Sequence, residues 1–110
     1  MYKILIPEDI ADSGKKYLEE RGYLLKVGVP TDLESLRREL VDVDGVIVRN
    51  AKYPKDVFEK ASHLKVIARH GTGVDNIDVE AAEKQGIWVV NGPMANVNAV
   101  AEYTVATILN

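Results

Sequence analysis

Val66-Ile67-Ala68-Arg69-His70-Gly71-Thr72-Gly73-Val74-Asp75-Asn76-Ile77-Asp78 is the stretch on which the reading of this chain turns. Val66 to Ala68 is a short apolar run that suits a strand buried on both faces. The glycine pair behind it lets the backbone turn sharply and expose successive N–H groups. Asp78 stands where an N-cap for a following helix belongs. Strand, anion-friendly turn and helix start make up half of a βαβ unit.

The same pattern repeats on either side. Apolar, β-branched runs recur at Ile4 to Ile6, Leu24 to Val27, Val46 to Val48 and Ile87 to Val90, each suited to burial on both faces. Between them lie helical periods, Leu33, Leu36 and Leu40 in one and Val57, Phe58, Ala61 and Leu64 in the next, with charges opposite. Thr31 with Glu34 forms a capping-box pattern, Pro54 suits the first turn of a helix, and Gly22 and Gly86 suit helix C-terminal caps. Alternation at this spacing calls for right-handed crossovers and a parallel sheet covered on both faces. The expectation is an α/β fold, a flavodoxin-like doubly wound five-stranded parallel sheet in the order 2-1-3-4-5, over residues 1–93.

Residues 94–110 read differently. Val97, Val100, Ala101, Tyr103, Val105, Ala106, Ile108 and Leu109 leave almost no polar face, so this C-terminal apolar helix is expected to be buried all round. No Gly or Pro stop precedes Asn110, which leads to the expectation that the natural chain continues. Without a further domain to pack on, the helix is expected either to fold back on the sheet or to pair with another copy as a homodimer.

Composition narrows the function classes. At 110 residues there is room for one domain. A net charge of -3 with no cluster of Lys and Arg argues against nucleic acid and anionic membranes as partners. The opening apolar run, Ile4 to Ile6, meets Pro7 at once and is too short for a signal peptide or a membrane span. Zero cysteines exclude disulfides and thiolate metal sites, His63 and His70 lack the company a metal site needs, and a cytoplasmic setting fits.

In an open parallel sheet ligands bind beyond the carboxyl ends of the strands. Arg49-Asn50 follows the third run and offers a guanidinium for charge-assisted bonds to a carboxylate or phosphate, the alternative being a surface salt bridge. Gly71-Thr72-Gly73 is not a dinucleotide fingerprint, since Asn76 holds the third glycine position and Asn91 stands where a ribose-binding acid belongs. The backbone N–H groups of Thr72 and Gly73 suit a small anion better, the alternative being a structural turn. His70 has no carboxylate placed by sequence to orient it and reads as structural. Asn96 lies in Asn91-Gly92-Pro93-Met94-Ala95-Asn96-Val97-Asn98, at the start of the last helix, and either contacts a ligand or caps the helix. Glu8 and Asp9 favour a helix N-terminus and receive no chemistry.

Gly71 to Asp78, followed by Asn91-Gly92-Pro93 and then Val100-Ala101-Glu102-Tyr103-Thr104, resembles the D-isomer-specific 2-hydroxyacid dehydrogenases, phosphoglycerate dehydrogenases included, and the likeness spans the whole chain. The resemblance implies that residues 1–93 are part of a flavodoxin-like substrate domain, that residues 94–110 begin an interdomain helix, and that the Rossmann NAD domain is absent. It implies substrate contacts at Arg49, Asn50, Thr72, Gly73 and Asn96, and a cofactor contact at Thr104 near the nicotinamide. It further implies NAD as the longer enzyme's cofactor and a small 2-hydroxy or 2-oxo acid as its substrate. The family's catalytic arginine, glutamate and histidine find no match here, so no catalytic residue is assigned, and the chain alone is expected to be inactive and to hold no cofactor. The competing reading is a stand-alone flavodoxin-like module that binds a small anion or a partner. A receiver is not that module, because Arg49 occupies the region where receivers place an aspartate.

Overall fold

The computed structural model describes residues 2–70, 74–92, 105 and 107–109. Its elements run β1 (Lys3–Ile6), α1 (Asp12–Glu20), β2 (Leu24–Val27), α2 (Leu33–Glu39), a 3-10 turn (Leu40–Asp42), β3 (Gly45–Val48), α3 (Lys55–Phe58), β4 (Val66–His70), α4 (Val79–Lys84) and β5 (Trp88–Gly92). The strands form a five-stranded sheet in the order β2-β1-β3-β4-β5. Every pairing is parallel. This is the doubly wound topology expected from the repeating strand and helix pattern.

Alternation along each central strand builds a two-sided core. Leu5, Val46, Val48 and Ile67 point to one face, where Leu36 of α2, Phe58 of α3 and Ala82 of α4 cover them. Ile4, Ile6, Ile47, Val66 and Ala68 point to the other, where Leu18 of α1 covers them together with Val105 and Leu109. Each fully buried aliphatic side chain contributes about 1.5–3 kcal/mol relative to exposure, so the sheet is held by both layers together. The last described residues, 105 and 107–109, are helical. Val105 and Leu109 are 0% and 2% exposed, so this segment folds back on the chain's own sheet, one of the two arrangements expected of it.

Two strands depart from burial on both faces. Leu24 and Val27 in β2 are 55% and 37% exposed, and Trp88 in β5 is 63% exposed. The reason is position: β2 and β5 are the sheet edges, so each has a strand neighbour on one side only. The order expected from the sequence already put these two strands at the edges, whereas their apolar runs read alone suggested burial on both faces.

The local signals are mostly obeyed. Asp78 caps α4 by accepting from Ala81 N–H at 3.1 Å, and Gly22 and Gly86 both take φ of 85°, the left-handed conformation that closes α1 and α4. The Thr31/Glu34 capping box is not formed. Helix α2 starts one residue later, with the Asp32 side chain accepting from Ser35 N–H at 3.0 Å. An aspartate carboxylate is the stronger acceptor at that cap, and this register buries Leu36 and Leu40 while leaving Leu33 43% exposed. Pro54 sits at the N-cap of α3 instead of inside its first turn. Helix α3 is only four residues long, yet Val57, Phe58, Ala61 and Leu64 are all buried, because short turns carry the chain on from Phe58 to Leu64.

Candidate functional site

The parallel register brings the carboxyl ends of β1, β3 and β4 to one rim. Val48 lies opposite Arg69, and Arg69 opposite Asn91, so Arg49 emerges just past its strand beside a second arginine. His70 ends β4 opposite Gly92.

Arg49 donates from Nη1 to the Asp9 carbonyl at 2.9 Å. Its Nε is buried with no hydrogen-bond partner among the described residues, and no carboxylate among them forms a salt bridge with it. The surface salt bridge weighed as an alternative for Arg49 is therefore not what the described residues show. Its carbonyl accepts from Arg69 Nε at 2.9 Å and from Asn76 Nδ2 at 3.2 Å. Asn50 is exposed at the tip of the turn. Its N–H and that of Ala51 both donate to one oxygen of Glu8, each at 2.9 Å. Asn76 Nδ2 also donates to the Ala51 carbonyl at 2.7 Å.

Backbone pairing extends this lattice toward α4. Tyr53 N–H donates to the Asn76 carbonyl at 2.7 Å, and Asp78 N–H donates to the Tyr53 carbonyl at 3.0 Å, an isolated parallel bridge between Tyr53 and Ile77. The β3–α3 loop and the described residues 74–78 ahead of α4 are thus one hydrogen-bonded body. Next to it an open cleft of about 400 Å³ is lined by Leu33, Lys52, Pro54, Asp75, Asn76, Ile77 and Asp78.

Three buried polar atoms on this rim have no partner among the described residues: Arg49 Nε, Tyr53 Oη and Asn76 Oδ1. Buried polar groups are nearly always satisfied, so these three atoms are exceptions on the rim. Burial, with the nearby Glu8 charge adding to it, pushes the Tyr53 phenol well above its ordinary value and keeps it a neutral hydroxyl. On the outer side, the Lys15 ammonium first and the Ile10 N–H second hold the Asp9 carboxyl below the usual range. Lys15 meets Asp9 at 2.8 Å and Asp12 at 3.2 Å.

Of the site residues expected from the sequence, the structure places Arg49 and Asn50 together at the end of β3. Thr72, Gly73, Asn96 and Thr104 lie outside the described residues. Glu8 and Asp9 do not serve a helix N-terminus: the N-cap of α1 is Ala11 and its first-turn acid is Asp12. Glu8 instead binds the loop carrying Asn50, a role that sequence reasoning missed together with those of Arg69, Tyr53 and Asn76. The available signal was topological, since a residue just past β1 must share a rim with one just past β3 once those strands are neighbours. Among the described residues no group of His, Asp and Glu is gathered to hold a metal ion, and no helix is long and apolar enough to cross a membrane.

The family model for the D-isomer specific 2-hydroxyacid dehydrogenase catalytic domain matches residues 4–108. The chain is 47% identical to a D-3-phosphoglycerate dehydrogenase of Methanocaldococcus jannaschii over 99% of its own length and 21% of the relative's. A crystal structure of a Pyrococcus horikoshii protein superposes with a TM-score of 0.79 at 31% identity, over 96% of this chain and 32% of that one. The NAD+-bound 3-phosphoglycerate dehydrogenase of Entamoeba histolytica superposes with a TM-score of 0.72 at 31% identity, over 96% of this chain and 37% of that one. The chain spans about a fifth of the length of the curated relatives it matches.

Proposed function

The chain belongs to the D-isomer specific 2-hydroxyacid dehydrogenase family, and from that premise we propose that it is the substrate-side portion of an NAD-dependent D-2-hydroxyacid dehydrogenase, inactive by itself. In this reading residues 1–93 hold the acid and residues 94–110 lead toward a dinucleotide-binding domain. Arg49 and Asn50, with the Thr72 and Gly73 N–H groups and Asn96, hold the carboxylate of a 2-hydroxy or 2-oxo acid, and Thr104 lies toward the nicotinamide. D-3-Phosphoglycerate is the acid to try first, because relatives carry that substrate in their names.

The observation that carries the reading is Arg49: a guanidinium fixed at a strand's carboxyl end, anchored on a backbone carbonyl and not spent on a carboxylate among the described residues. A guanidinium so held has a planar fork of donors suited to a carboxylate. The described residues do not fit NAD. The turn after β1 is Pro7-Glu8-Asp9, and the Glu8 carboxylate already takes the Asn50 and Ala51 N–H groups, which puts negative charge where a pyrophosphate needs donors. In this reading NAD belongs to the longer enzyme, and no hydride step is derived from this chain.

Titration of the chain with NADH by calorimetry and with D-3-phosphoglycerate by NMR tests the reading. The expected result is no heat with NADH, no turnover, and saturable shifts confined to Arg49, Asn50, Thr72, Gly73, Asn96 and their neighbours. Tight NADH binding, turnover by the chain alone, or shifts elsewhere would overturn it. Light scattering on the same sample reports self-association through the terminal helix.

A further inference from the structure

Backbone groups in the turn after β3 have left the sheet ladder, so each needs another partner or water. In this chain the partners are side chains from other loops. Glu8, 42 residues upstream of Asn50, supplies a single carboxylate oxygen to the N–H groups of both Asn50 and Ala51. From the opposite direction Asn76 supplies its amide N–H to the carbonyls of Arg49 and Ala51, and Arg69 adds a bond to the Arg49 carbonyl. The three residues from Arg49 to Ala51 are thereby gripped on their donors from one side and on their acceptors from the other.

We propose that Glu8 is a positioning residue, holding the Arg49-Asn50-Ala51 backbone in the single conformation that presents the Arg49 guanidinium at a fixed place on the rim. The proposal rests on the substrate-binding reading above and extends it to a residue that touches no substrate. Three features support it. The acceptor is a carboxylate oxygen that serves two donors, the stronger kind of hydrogen bond. The Arg49 guanidinium is itself tied to the carbonyl of Asp9, the residue after Glu8, so the β1 loop sets backbone and side chain of Arg49 together. Asn50 is exposed, so without Glu8 water replaces the lost acceptor, and what is lost is order more than stability.

That separation gives the test. Glu8→Ala removes the acceptor, whereas Glu8→Gln keeps an sp² oxygen at the same reach. On the isotope-labelled chain, amide hydrogen exchange at Asn50 and Ala51 is compared with the Arg49 Nε–H resonance, the thermal midpoint and the affinity for D-3-phosphoglycerate. In Glu8→Ala, exchange at both amides should accelerate and affinity should fall, each by about tenfold or more, as expected for losing bonds to a carboxylate oxygen. The Arg49 Nε–H line should broaden or split, while the thermal midpoint stays close to wild type. Glu8→Gln, a neutral and weaker acceptor at the same reach, should recover part of the loss and fall between wild type and Glu8→Ala in both exchange and affinity. Unchanged exchange and an unchanged Arg49 line in Glu8→Ala would overturn the proposal, and so would a Glu8→Gln variant as impaired as Glu8→Ala. If the wild-type chain fails to bind the acid, the substrate reading falls, while exchange and the Arg49 line still decide whether Glu8 positions the loop.

Discussion

Replacing Tyr53 by phenylalanine should stabilise this protein, against the usual sign for altering a buried residue. Tyr53 is 0% exposed, packed in the core on the face of α2 and α3. Its hydroxyl oxygen is buried with no partner among the described residues. Water bonds that hydroxyl in the unfolded chain, so folding strips a polar group without replacement, at a cost of about 1–3 kcal/mol. The ring packs identically in Tyr53→Phe, so the variant keeps the burial and drops the cost. Allowing for partial compensation by nearby dipoles, the expected gain is about 1 kcal/mol, a rise of roughly 4 °C in Tm for a domain of this size. Urea unfolding followed by circular dichroism, with the slope m unchanged, measures it. A loss of more than about 0.5 kcal/mol would refute the reasoning, because it would mean the hydroxyl is bonded to an ordered water that Phe cannot hold.

Other expectations follow from particular contacts. A Cβ on Gly45 would meet Ile4 Cδ1 and Val66 Cγ1 at 3.1 Å each. The Ile4 methyl can turn aside but the β-branched Val66 is stiff, so Gly45→Ala should cost about 1–2 kcal/mol in urea, and a neutral result would show that β3 has room to shift. Leu109→Ala should lower stability by about 2 kcal/mol if the terminal segment covers the sheet in solution, and a change below about 0.5 kcal/mol would mean that it does not. Asp78→Ala removes the α4 cap and should cost about 1 kcal/mol, read as faster hydrogen exchange through α4 and a lower urea midpoint. Bonds from the Ser35 hydroxyl and N–H hold the Asp32 carboxyl below its ordinary value of 3.8. A carboxyl whose folded value is depressed contributes stability that is complete above the unfolded value and is lost as pH falls through the lower folded one. A carbon-detected titration should place the Asp32 midpoint below 3.8, and a midpoint at or above that value would remove the cap from the account.

Much of the site was legible from strand ends alone, and the part that was not shows why. Arg49 and Asn50 were singled out because a polar pair follows an apolar run, which is a local pattern. Glu8 was passed over because an acid after a strand most often serves the next helix, and nothing local distinguishes that from an acid reaching a loop 42 residues away. Asn76 was noticed only as a missing glycine, while its amide turned out to tie the β4–α4 loop to the β3–α3 loop. The Thr31 cap failed for a smaller reason: adjacent Thr31 and Asp32 both suit an N-cap, and packing of Leu36 and Leu40 selects the register.

The amino-acid sequence by itself determined the order of strands and helices, the doubly wound sheet and the family, because these rest on periodicity, capping residues and motif spacing, all short-range along the chain. Even the order of the strands was implied, since right-handed crossovers leave few ways to wind such a unit. That order already makes β2 and β5 the edges, but tertiary structure alone decided how much of each stays uncovered, so that Leu24, Val27 and Trp88 are exposed in runs that look fully buried on paper. It alone decided that Val105 and Leu109 cover the chain's own sheet, a choice made by the apolar surface that Ile4, Ile47 and Val66 leave open. It also decided how the rim is held, because hydrogen bonds between loops depend on how each side chain reaches across once the strand ends are side by side, and that is a property of the folded sheet rather than of any stretch of the chain.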